Sequence, residues 1–141
     1  MKLYIPSLGD DLKLTENWTF WLYAEHRNSK LGVILGLRDE SRSNWNDSAW
    51  SKTHHAVEII ETTFPHSNYV KQDFRYGVWL PKDTILRVDR IYIRKGSSDF
   101  DSVSFRIVEC PSNKKLCKQR FWVKLEDANQ IVFEPQTEGQ K

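Results

Sequence analysis

In several short runs between Leu86 and Phe133 apolar residues recur at every second position, and that period constrains the fold more than any other feature of the chain. Val103, Phe105 and Ile107 alternate with Ser104, Arg106 and Val108. Phe121, Val123 and Leu125 alternate with Trp122, Lys124 and Glu126, and Ile131 and Phe133 close a last short strand. A period of two belongs to a strand buried on one face. Leu86 and Val88 share one parity while Ile91 and Ile93 share the other, so the phase slips at Asp89-Arg90, as it does at a β-bulge. Turn chemistry at Leu80–Thr84 and at Gly96–Asp101 separates these strands by short connections. The expectation is a mainly β protein, an antiparallel meander closing into a small barrel or sandwich, with one helix.

The N-terminal half is less regular. Lys2–Ile5 reads as a short strand, ended by Pro6 and a turn at Ser7-Leu8-Gly9-Asp10. Over 18–25, Trp18, Phe20, Leu22 and Ala24 share one strand face. Glu25–Lys30 is polar and reads as a turn, and Leu31–Leu37 fits a return strand or a short buried segment equally well. Residues 38–50 read as a long surface loop carrying Trp45 and Trp50. In 48–62, Ser48 suits an N-cap and Ala49, Thr53, Ala56, Val57 and Ile60 form a loose helical stripe, so a helix is favoured over a strand.

At 141 residues the chain suits one domain, expected over 1–133, with 134–141 as a polar tail. No apolar run approaches the roughly 20 residues of a membrane helix. The first residues lack the apolar stretch of a secretory signal, so a cytoplasmic protein with no membrane partner is expected. Cys110 and Cys117 are expected as free thiols.

Charge is distributed unevenly. The net charge is +2, but residues 82–124 hold 11 Lys and Arg against 5 Asp and Glu, a net +6. Pairing Ile93 with Val103 and Phe105 with Val123 sets Arg90 opposite Arg106 and Arg106 opposite Trp122. One outward face then gathers Arg90, Tyr92, Arg94, Arg106, Arg120, Trp122 and Lys124. Arginines facing each other repel unless an anion lies between them. Arginine beside exposed Tyr and Trp can hold a phosphate and stack a base.

Other constellations carry less. His54, His55, Glu58 and Glu61 do not follow the order of a zinc protease, and no metal or cofactor site is expected. Glu25 or His26 could serve a small phosphodiester-cleaving enzyme, which is the third reading. No phosphate-loop, dinucleotide or nucleophile-elbow motif occurs.

Ile91-Tyr92-Ile93-Arg94-Lys95-Gly96, Asp101-Ser102-Val103-Ser104-Phe105-Arg106 and Arg120-Phe121-Trp122-Val123-Lys124-Leu125 resemble stretches of small uncharacterised proteins carried by phages and mobile elements. The resemblance implies an accessory protein acting inside a bacterial host, and no mechanism. The leading expectation is therefore a non-enzymatic binding module for an anionic nucleotide-like ligand or a nucleic-acid strand. Such a module could serve a phage by neutralising a host component. The alternative is a protein-interaction inhibitor of a host defence protein, anchored by Trp45 and Trp50.

Overall fold

The period-two stripe becomes the inner face of a five-stranded antiparallel sheet in the computed structural model, which describes residues 7–39, 44–45, 54–63, 70–93 and 101–136. The described strands are β1 (Asp11–Leu14), β2 (Trp18–Tyr23), β3 (Arg38–Asp39), β4 (Asn44–Trp45), β5 (His54–Thr63), β6 (Val70–Leu80), β7 (Ile85–Tyr92), β8 (Ser102–Glu109), β9 (Arg120–Lys124) and β10 (Phe133–Gln136). The large sheet runs β10-β1-β7-β8-β9, a second sheet runs β2-β6-β5, and β3 pairs with β4. All of these pairings are antiparallel. Two short α-helices, α1 (Ser29–Ile34) and α2 (Leu125–Ala128), and two 3-10 turns, His26–Asn28 and Lys114–Leu116, join these strands.

The fold is mainly β, and the two larger sheets share one core. Trp18, Phe20 and Leu22 of β2 are buried, as are Val103, Phe105 and Ile107 of β8 and Phe121 and Val123 of β9. Aromatic rings join the sheets: Phe20 stacks on Phe121 at 5.4 Å, and Trp18 meets Phe105 edge-on at 5.7 Å. Such ring pairs add to the burial of their area. No closed ring of strands forms among the described residues, since β10 and β9 are the edges of the large sheet.

The bulge lies where the parity slips, between Val88 and Arg90. Leu86 and Val88 are buried before it, while Ile91 after it is only half-buried. The strand pairing differs from expectation. Ile91, not Ile93, lies opposite Val103, and Phe121, not Val123, lies opposite Phe105. Both are slips of two residues, which change partners and keep every side chain on its face.

Two other expectations are corrected, and one that was open is resolved. Residues 54–63 are strand β5, not helix, and pair along β6 through a bulge near His54. Val57, Ile59, Ile60, Thr62 and Thr63 are β-branched, and the long β6 offers them a partner strand. Of the two readings of Leu31–Leu37, the short buried segment holds: it continues helix α1, Leu31, Leu35 and Leu37 are buried, and Gly32 lets the Trp45 ring approach where a Cβ would clash. Glu134–Gln136, read as the start of a tail, extend β10 against β1. The expected strand at Lys2–Ile5, the N-cap at Ser48 and the turn at Gly96 lie outside the described residues. No helix among the described residues is long and apolar enough to cross a membrane.

Candidate functional site

The outward face of β7, β8 and β9 carries two rungs of directly opposed residues. One rung is Arg90–Ser104–Trp122 and the next is Arg87–Arg106–Arg120. Arg106 thus lies between Arg87 and Arg120, where the expected register placed Arg90 and Trp122. The neighbours are neutralised: Arg87 makes a two-pronged bond to Asp11, and Arg120 pairs with Asp89 of the bulge. Arg106 is half-buried and has no carboxylate partner among the described residues.

Above this face lies a cleft of about 530 Å³. Its floor holds Arg90, Ser104, Arg106, Arg120 and Trp122. Its other wall is the segment before and at the start of α1, with His26, Arg27, Ser29 and Lys30, and Lys118 and Gln119 close one end. The described lining contains no Asp or Glu. Low-dielectric walls of one sign of charge focus an attractive potential for anions.

Asn28 fixes that wall. It is fully buried; its amide nitrogen donates to the Tyr23 carbonyl at 3.0 Å, and its Oδ1 accepts from the Trp122 backbone N–H at 2.9 Å. One side chain therefore ties the 3-10 turn His26–Asn28 to the end of β2 and to β9. The wall was missed from the sequence because its polar residues read as an ordinary turn, and nothing local states what they cover.

Trp122 is heavily engaged. Tyr23 stacks on it at 5.2 Å with planes 13° apart, Arg27 lies 5.2 Å from its ring centre, and its Nε1 donates to Glu25. Glu25 also pairs with Arg27. Glu25 is therefore occupied as a structural acceptor, and it does not line the cleft. Further along the same stack, Arg75 lies 4.2 Å over Trp21 and hydrogen-bonds Tyr23 and Glu58. Partial burial works against its charge, but the Tyr23 and Glu58 hydrogen bonds win and hold its pKa above the usual value. Asp127 accepts from the Trp21 backbone N–H at 3.0 Å; burial raises its pKa, partly offset by that hydrogen bond.

Of the expected binding residues, Arg90, Arg106, Arg120 and Trp122 converge on the cleft. Tyr92 is exposed and lies outside its lining, and Lys124 sits over the Tyr23 ring at 5.3 Å instead. Arg94 and Trp50 lie outside the described residues. Trp45, expected as an exposed anchor, is half-buried, stacked 5.8 Å from Tyr76 and pressed on Gly32. Its ring contributes to packing, so the described part of that loop offers no aromatic anchor. Cys110 and Cys117 are free thiols. Among the described residues, no three His, Cys, Asp or Glu side chains gather as metal ligands would.

Comparison with protein-family models, with curated proteins and with solved structures finds no match to this chain.

Proposed function

We propose that the protein is a non-enzymatic binding module that holds an anionic ligand, nucleotide-like or a nucleic-acid strand, in the cleft over β7–β9. The observation that carries this reading is Arg106. A half-buried guanidinium with no described carboxylate lacks a counter-charge of its own, since Asp11 and Asp89 are taken by the flanking Arg87 and Arg120. A bound anion supplies the missing counter-charge through charge-assisted hydrogen bonds. The cleft volume also falls within the usual range for small-ligand sites.

In this reading the two sheets form an open sandwich that serves as a rigid scaffold. The biological setting is that of an accessory protein in a bacterial cytoplasm, where sequestering a phosphate-bearing host component would be its effect. The test is titration of a labelled single-stranded oligonucleotide and of ATP into the native protein and Arg106→Ala. The native protein should bind one or both, and the variant should lose at least about tenfold in affinity, the factor that corresponds to one charge-assisted bond. Unchanged affinity in the variant would remove the cleft from consideration.

A further inference from the structure

The cleft carries cations in excess, and its Trp122 ring is already engaged by Tyr23, Arg27 and Glu25. We infer that it recognises a run of clustered phosphates, such as a triphosphate chain, and is indifferent to the base attached to it; this inference rests on the anion-binding reading above.

Charge comes first. Arg27 and Arg120 already share carboxylates with Glu25 and Asp89. Lys30, Arg90, Arg106 and Lys118 line the cleft with no carboxylate partner among the described residues. A single phosphate would leave most of that charge unmatched. A triphosphate, or several adjacent phosphodiesters, would match it. Arginine suits such a ligand because its planar fork can grip two phosphate oxygens at once.

The aromatic side points the same way. Base recognition in open clefts usually rests on a ring stacked against an aromatic face. Beside the exposed His26 imidazole, the ring-bearing residues of the described lining are Phe121 and Trp122, and Phe121 is buried at 1% exposure. Trp122 lies against Tyr23, which is not in the lining, and under Arg27, which is. A base seeking the Trp122 ring would compete with a guanidinium that is itself tied to Glu25. The Trp122 N–H is also engaged by Glu25, so it cannot read a base edge.

The experiment is calorimetric titration of the native protein with inorganic tripolyphosphate, ATP, CTP, AMP, adenosine and a short single-stranded oligonucleotide. The expected result is that tripolyphosphate, ATP and CTP agree within about threefold, with AMP at least about tenfold weaker and adenosine silent. Arg106→Gln should weaken tripolyphosphate and ATP by the same factor. ATP binding more than about tenfold tighter than tripolyphosphate, or a clear ATP–CTP difference, would overturn base-blindness while leaving anion binding intact. Oligonucleotide binding without tripolyphosphate binding would also overturn it, because the cleft would then need an extended backbone. Silence from every phosphate compound would overturn this inference and the anion-binding reading together.

Discussion

Replacing Arg106 by Ala acts on two free energies at once. In the liganded protein it removes a charge-assisted bond. In the free protein it removes a like charge that stands between Arg87 and Arg120. The free variant should be as stable as the native protein, or more stable by up to about 1 kcal/mol, the scale of a cross-strand pair. Loss of the packed side-chain stem sets the opposing term. Thermal unfolding without ligand decides between them: a clear drop in midpoint with binding retained would make Arg106 a structural residue. Asp127 gives a second prediction at this scale. Burial raises its pKa in the folded protein above the value of 3.8 it has when exposed. The folded state then binds this proton more tightly than the unfolded state does. Its stabilising contribution is full below about pH 3.8 and is lost as pH rises through the higher folded value. Asp127→Asn keeps an oxygen for the Trp21 N–H and carries no charge to desolvate. Its stability relative to the native protein should therefore increase from pH 4 to pH 7 in denaturant titrations. A constant difference across that range would mean that burial of the carboxylate is not the governing effect.

Among elements, the short segment from His26 to Ile34 matters most, because it forms one wall of the cleft while the sheet forms the floor. Asn28 joins the two. Asn28→Ala would leave the Tyr23 carbonyl and the Trp122 N–H without that partner, at about 1–3 kcal/mol for each buried group left unsatisfied. Stability and oligonucleotide affinity should fall together; a destabilised variant with native affinity would show that the wall is not part of the site. This coupling also explains what the sequence could reveal. The floor was legible because alternation assigns faces, and a register error of two residues preserves them: Arg90, Arg106, Arg120 and Trp122 stay outward whichever rung they occupy. Their partners were not legible, since the bulge at Asp89 and the turn lengths set the register. The wall was invisible for a different reason. Its positions are held by contacts more than 90 residues apart in the chain, such as Asn28 to Trp122. The His54–Thr63 stretch misled through a helical stripe that its β-branched residues and long partner strand override.

For the whole molecule, a net charge of only +2 gives little long-range attraction for a polyanion, so any affinity must be gathered locally in the cleft. That has a measurable consequence. Each phosphate neutralised on a single strand releases counterions and contributes about −0.7 to the slope of log affinity against log salt. With Lys30, Arg90, Arg106 and Lys118 as the described cations lacking carboxylate partners there, a short single strand should show a slope of about −2 to −3. Arg106→Ala should bring the slope about 0.7 closer to zero, because one phosphate contact is gone. A slope near zero would place binding away from these side chains altogether. A slope steeper than about −5 would require more phosphate contacts than the cleft supplies, so the strand would have to run beyond it onto other cations of the surface. The two measurements constrain each other: a change in affinity at Arg106 without a change in slope would mean that the substitution altered the shape of the cleft and not its charge.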